Sequence, residues 1–251
     1  MELPINQVLV GDCRQILKQF PDECIDMVLT DPPFMISSEI VIHRNNNYKY
    51  KGKDIILDFG KWDHFENEEE YWKFTKEWLT EASRILKKSG HLITFFDMDK
   101  VTPLIEFAQT LNLERRQHLF YLKENPVPRV RKVDFMVALE HAIWFTKSPR
   151  SGSTFNYWLG QQPNYVKAPI PNNPRYHPTE KPVKVLEVWI KYLTNLNDIV
   201  LDPMCGSGST LVACKRLGRR FIGIDIDSNY VEIARKRLEQ TQTGYSLENY
   251  L

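Results

Sequence analysis

The feature that most constrains this chain is an alternation. Short β-rich runs and amphipathic helical patterns follow one another along its 251 residues. Residues 7–10 and 25–30 read as strands with polar tips. Residues 68–87 read as a helix, with Trp72, Leu79, Ile85 and Leu86 among its apolar positions and Ser89-Gly90 as its stop. The pattern then predicts a strand over 91–96, a helix over 101–111, strands over 119–122 and 142–146, and, after a Pro/Asn-rich stretch, a helix over 183–196. Strands at 199–201 and 221–226 alternate with helices at 210–217 and 230–240. Such alternation specifies an α/β fold, a doubly wound and mostly parallel sheet with helices on both faces. In such sheets, ligands bind beyond the carboxyl ends of the strands, so the residues that follow each strand are the ones to search.

Three strand ends carry chemistry, and a fourth adds to them. After 25–30 comes Asp31-Pro32-Pro33-Phe34. Two successive prolines fix φ and remove two N–H groups, which stiffens the turn and leaves its carbonyls free to accept. A carboxylate beside a carbonyl can accept both hydrogens of an NH2 group, and Phe34 can stack on a flat ring. That set suits an exocyclic base amine, whose lone pair is delocalised until both hydrogens are drawn away. The plainer reading is a rigid loop exit with a capping Asp.

After 199–201 comes Asp202-Pro203-Met204-Cys205-Gly206-Ser207-Gly208-Ser209-Thr210, which opens a helix. Its glycines let backbone approach a ligand closely. It is not Walker A, since no Gly-Lys pair follows, nor the full GxGxxG of dinucleotide enzymes. Asp225 ends the next strand, 19 positions after Gly206, the place of an acid that binds ribose hydroxyls. Val10-Gly11-Asp12-Cys13 puts Asp12 where it could accept from an adenine amino group or simply cap a helix. A pocket lined by Asp12, Asp202 and Asp225 favours a cationic, donor-rich ligand, and a sulfonium nucleoside fits better than a polyphosphate.

Taken together, these residues resemble the β group of DNA amino-methyltransferases. In that group the catalytic tetrad precedes the cofactor glycine motif, a circular permutation of the usual class I S-adenosylmethionine-dependent methyltransferase order. His177-Pro178-Thr179-Glu180-Lys181-Pro182 and Asp58-Phe59-Gly60-Lys61-Trp62-Asp63 resemble further segments of the family, and the likeness runs from about residue 6 to 238. The departure is slight: Met204-Cys205 stands where Phe-Ala is frequent. The resemblance implies S-adenosyl-L-methionine as cofactor and a site built residue by residue as follows. Asp31, Pro32, Pro33 and Phe34 would be catalytic, with Asp31 and the Pro32 carbonyl on the amine and Phe34 on a flipped base. Asp12 and Cys13 would meet the cofactor adenine and Asp225 its ribose, with Ile226 alongside. Gly206, Ser207, Gly208, Ser209 and Thr210 would surround its methionine part, with Asp31, Asp202, Met204 and Cys205 close by. His177, Thr179 and Lys181 would help close the pocket.

The reaction expected is direct methyl transfer to adenine N6 in double-stranded DNA, after base flipping. In the family it resembles, Asp at the head of the tetrad usually accompanies adenine and Ser cytosine, so the resemblance implies adenine, with N4 of cytosine as the alternative. Transfer to cytosine C5 would need a cysteine that follows a proline, and none of Cys13, Cys24, Cys205 and Cys214 does. An RNA or protein-amide methyltransferase would keep the unpermuted order. A DNA-binding module without catalysis would have little reason to keep Asp31, Phe34, Gly206, Gly208 and Asp225 intact.

Charge bears on the partner. The net charge is only +1, but residues 115–150 carry eight bases against three acids, while residues 54–81 carry nine acids against three bases. Arg129, Arg131, Lys132, Asn156 and Arg175 are the DNA-contact candidates. The expected layout is one catalytic domain over 1–251, with a small target-recognition insert at about 149–175 and a mobile loop at about 37–58. The cysteines show neither metal-finger nor disulfide spacing, so no metal is expected. Apolar runs are strand-length and no signal peptide is legible, which reads as a cytoplasmic chain without a membrane span. The partners expected are DNA, a second copy of the chain, because the recognition stretch is small, and a cognate restriction endonuclease.

Overall fold

The computed structural model describes residues 2–35, 64–128, 133–149, 151–171, 176 and 179–244, and the backbone of 41–42 and 55–56. The chain divides into two compact units, Met1–Pro32 with Lys76–Leu251, and Pro33–Thr75.

The larger unit is built on an eight-stranded sheet. Its strands are β1 (Gln7–Val10), β2 (Ile25–Thr30), β5 (Leu86–Phe95), β6 (Leu113–Lys123), β7 (Leu139–Lys147), β8 (Tyr165–Ala168), β9 (Ile199–Asp202) and β10 (Arg220–Asp225). Across the sheet they run β1-β10-β9-β2-β5-β7-β6-β8. The first five are mutually parallel, and β7 runs antiparallel to both β5 and β6. β2 is buried at five of its six positions, as expected of a central strand covered on both faces.

The helices are α1 (Cys13–Ile16), α2 (Glu68–Ile85, which begins in the smaller unit), α3 (Val101–Thr110), α4 (Val183–Leu193), α5 (Ser209–Arg216) and α6 (Ser228–Gln240). In α4 the buried set Val185, Leu186, Trp189, Ile190 and Leu193 forms a stripe at helical spacing. α4 packs on α5, which packs on α6, and α3 lies on β6. Asp227 caps α6 by accepting from the Asn229 amide. No helix among the described residues is long and apolar enough to cross a membrane.

The smaller unit contains a two-residue antiparallel pairing of β3 (Val41–Ile42) with β4 (Ile55–Ile56), inside the stretch that sequence leaves without secondary structure. Among its described residues, the Phe65 ring meets Tyr71 edge-on at 5.4 Å and Phe74 at 5.6 Å.

Three sequence expectations are corrected. The second helix stops at Ile85 and the chain enters β5 at once, so Ser89-Gly90 lies inside a strand instead of ending a helix. Gly90 is required there by crowding: a Cβ would stand 2.9 Å from the carbonyl oxygens of Asp26 and Lys87. The strands read at 119–122 and 142–146 are parts of an 11-residue β6 and a nine-residue β7. A further strand that the sequence reading lacks, β8, pairs parallel to β6 within the region assigned to the recognition insert.

Candidate active site

The register of the sheet brings the sequence candidates of the larger unit to one edge. Val10 pairs with Asp225, Gly223 with Asp202, Val28 with Leu201 and Thr30 with Thr94. Asp12, Asp225, Asp202 and Asp31 therefore follow or end four neighbouring parallel strands on their carboxyl side. Pro33 and Phe34 continue the chain into the smaller unit.

The glycine loop is held by backbone and carboxylate bonds. Gly206 N–H donates to Asp225 Oδ2 at 2.7 Å, Asp227 N–H to Asp225 Oδ1 at 2.9 Å, and Cys205 N–H to the Ile224 carbonyl at 2.8 Å. Gly208 has φ +84°, and a Cβ there would stand 2.8 Å from Ala234 Cβ. Only glycine meets both the left-handed backbone and the close approach to α6. Ser207 and Ser209 are fastened from outside the loop. Arg237 of α6 donates to the Ser207 carbonyl and hydroxyl at 2.8 and 3.0 Å and pairs with the buried Glu180 at 2.8 Å, while Ser209 donates to Glu180 at 3.2 Å. The Tyr176 ring lies 4.5 Å from the Arg237 guanidinium.

Asp202 is 4% exposed and accepts from Thr30 Oγ1 at 2.9 Å and from Met204 N–H at 3.2 Å. Burial pushes its carboxyl up to about 7, against hydrogen bonds from Thr210 and Thr30 that favour the charged form. Burial also raises Asp225 and takes the Cys13 thiol to about 12. Asp12 caps α1 and is gripped by Arg14, whose Nη2 lies 2.7 Å from Oδ2. The Arg14 hydrogen bond holds its carboxyl below the usual range. Ile226 is 63% exposed, an apolar side chain open to a flat ring. The buried carboxylate of Asp202 and the half-buried one of Asp225, beside a loop where backbone can approach closely, suit a cationic ligand that carries hydroxyl and amino donors, whereas both Asp12 oxygens are engaged by Arg14. The donor set fits a sulfonium nucleoside.

Asp31 has a partner that sequence reading did not give it. Its Oδ2 receives the ammonium of Lys181, which is buried at 7% and also stands 3.2 Å from Glu140 Oε2. The Glu140 Oε1 atom lies 2.8 Å from Lys123 Nζ, and the Lys181 ammonium sits over the Phe95 ring at 4.8 Å. Lys181 reaches back to the Thr179 carbonyl at 3.3 Å. Thr30, Lys123, Glu140, Glu180 and Arg237 all escaped the sequence reading. Glu180 stands within the quoted 177–182 motif and could have been found there. The others carry no local signal.

Of the DNA-contact candidates, only Asn156 is among the described residues. Its amide nitrogen donates to the Lys191 and Thr194 carbonyls, both at 2.9 Å, so reading a base would require releasing bonds that hold it to α4. Arg129, Arg131, Lys132, Arg175 and the pocket candidate His177 lie outside the described residues.

A mostly parallel α/β sheet whose carboxyl edge presents a glycine loop and a row of acids has the architecture of the class I methyltransferase fold. The comparisons narrow that class. The chain belongs to the N6/N4 DNA methylase family, whose sequence profile it matches over residues 25–236. It is 31% identical to the type II methyltransferase M.HinfI of Haemophilus influenzae, over 94% of this chain and 69% of that one. It is 30% identical to the type II methyltransferase M2.LlaDCHI of Lactococcus lactis subsp. cremoris, over 95% and 91%. The crystal structure of M1.HpyAVI with S-adenosylmethionine superposes with a TM-score of 0.71 at 25% identity, covering 92% of this chain and 98% of that one. The cytosine-N4-specific PvuII DNA methyltransferase shares the fold, with a TM-score of 0.72 at 19% identity over 96% and 88%. The protein is thus a DNA methyltransferase that uses S-adenosylmethionine.

Proposed function

We propose that this enzyme methylates N6 of adenine in double-stranded DNA and that Asp31 is its amine acceptor. The observation that carries the reading is the Asp31 carboxylate at the end of β2, anchored on one oxygen by a buried ammonium and one residue after Thr30, which bonds Asp202. Asp31 and the Pro32 carbonyl accept the two hydrogens of the exocyclic amine, and Phe34 stacks on the base ring. With both hydrogens drawn away, the nitrogen lone pair becomes available for attack. The cofactor supplies a methyl group activated on a sulfonium. Asp12 and Cys13 serve its adenine, with Ile226 against the ring, and Asp225 its ribose. Residues 204–210 and Asp202 line the methionine end, and His177 and Thr179 close over it. Catalysis rests on positioning and on exclusion of water, not on a covalent intermediate.

Arg129, Arg131, Lys132 and Arg175 are proposed to meet the duplex, and residues 149–175 to read its sequence. Flipping the base costs about a few kcal/mol, which these contacts offset. We further propose a homodimer, a cytoplasmic location and a partner endonuclease of matching site. A monomeric mass in light scattering at micromolar concentration would count against the dimer.

The test has two parts. DNA treated with enzyme and cofactor is digested to nucleosides and separated: N6-methyladenine is expected, and N4-methylcytosine as the only product refutes the choice of base. Asp31→Ala is expected to abolish transfer of labelled methyl groups while cofactor binding persists. Transfer at the normal rate would reduce the tetrad to a stiff loop.

A further inference from the structure

The ion cluster behind Asp31 is larger than the reaction as described needs. Lys181 touches Asp31 and Glu140, and Glu140 touches Lys123. Four charges of alternating sign are thus linked contact to contact from the tetrad, two carboxylates and two ammonium groups. A buried ammonium is costly unless paired and hydrogen-bonded, so something must compensate Lys181. If Asp31 did so alone, its charge would be engaged by Lys181 and less available to the amine. The nitrogen also gains positive charge as the methyl group arrives, and an uncompensated ammonium nearby opposes that change.

We propose that Glu140 is a positioning residue for methyl transfer: it shares the charge of Lys181, holds that ammonium against Asp31, and lessens how much of the Asp31 charge Lys181 engages. This rests on the reading of Asp31 as amine acceptor. Lys123 completes the device from the far side by fixing the second oxygen of Glu140. Glu140 is the second residue of β7 and Lys123 closes β6, so the hairpin register aligns the cluster. Burial alone would raise the Glu140 carboxyl, but Lys181 and Lys123 bring it below its ordinary range. Burial alone would lower Lys181, but Asp31 and Glu140 bring it above its own.

The sign of each limb follows. Glu140→Gln removes one of the two carboxylates that raise Lys181, so Lys181 loses its proton at lower pH and the alkaline limb of kcat/KM moves down. Lys123→Gln removes a cation that lowers Glu140, so Glu140 takes up a proton at higher pH and the acid limb moves up.

The experiment measures steady-state methyl transfer to duplex DNA as a function of pH, with cofactor binding by calorimetry as the check on folding. Glu140→Gln is expected to lower kcat by roughly 10- to 100-fold, to leave KM for the cofactor within about twofold, and to shift the alkaline limb down. Glu140→Asp should recover part of the rate. A normal rate overturns the proposal, and so does a lowered rate with unshifted limbs, which a merely structural role would give. If Glu140→Gln does not bind cofactor, Lys123→Gln decides: an acid limb moved up supports the proposal, and an unmoved one overturns it. Asp31→Ala separates the two claims. An active Asp31→Ala sinks the underlying reading, whereas an inactive one beside a normal Glu140→Gln sinks only this inference.

Discussion

Asp202 offers the sharpest quantitative test, because its substitution by Asn is nearly isosteric and its environment is fully specified. The carboxyl is buried beside Thr30, Met204 and Thr210 and titrates at about 7 in place of 3.8, with burial as the main cause. A folded-state value raised above the unfolded one means that the folded protein binds the proton more tightly. The associated stability is therefore complete below pH 3.8 and is lost as pH rises toward about 7. At 1.36 kcal/mol per pH unit, the interval corresponds to about 4 kcal/mol. For a chain of this size that is roughly 10 °C in Tm. In Asp202→Asn, Oδ1 can still accept from Thr30 and Met204, and the Thr210 hydroxyl can rotate to accept from the new amide. The variant should thus exceed the wild-type Tm by only about 3 °C near pH 4.5, where roughly 1 kcal/mol of that stability has gone, and by roughly 10 °C at pH 8, measured on cofactor-free protein by scanning fluorimetry. The difference between the two proteins isolates Asp202, because every other titrating group is common to both. Parallel curves from pH 4.5 to 8, with no divergence, would refute the claim that Asp202 carries the buried charge.

Three further outcomes are expected. Gly208→Ala combines a left-handed backbone with a Cβ 2.8 Å from Ala234 and should cost about 1–3 kcal/mol in chemical denaturation, with weakened cofactor binding in calorimetry. Arg237→Met leaves Glu180 buried without its cation and should cost about 3–5 kcal/mol, part of which Glu180→Gln in the same chain should restore. The indole N–H of Trp78 is buried and meets no acceptor among the described residues, so Trp78→Phe removes an unsatisfied donor and should change stability by less than about 1–2 kcal/mol, well short of the 3–5 kcal/mol typical of a large aromatic truncated to Ala.

The parts of the fold that the sequence discloses are those in which local chemistry and tertiary demand agree. β1 and β2 match their predicted bounds because each ends where the chain changes character, at Gly11-Asp12 and at Asp31-Pro32. The end of α2 does not match, because Ser89-Gly90 answers to the crowding of Gly90 against Asp26 on the neighbouring strand, a reason invisible in one dimension. β8 was missed for a related reason. Four residues from Tyr165 to Ala168 in a Pro/Asn-rich stretch become a strand only because the edge of β6 is there to pair with them.

The candidate site divides in the same way. Asp12, Asp31, Asp202, the glycine loop and Asp225 were legible because a parallel sheet delivers the residues after its strands to one edge, whatever separates them in the chain. The support behind them depends on register, which a single sequence does not display. Tyr121 pairs with Glu140 across the β6–β7 hairpin, and Lys123, two residues further along β6, is therefore a diagonal neighbour on the same face. A slip of one residue would send Lys123 to the opposite face and leave Glu140, and through it Lys181, short of a partner. Arg237 is a comparable case. It lies three residues after the buried Ala234 on α6, and Gly208 allows the loop to come within reach of that helix. The tetrad itself can be read from the chain. The charges that hold its carboxylate in place depend on two β-strands and the segment leading into α4 taking one particular alignment, and that alignment is what the Glu140 and Lys123 variants test.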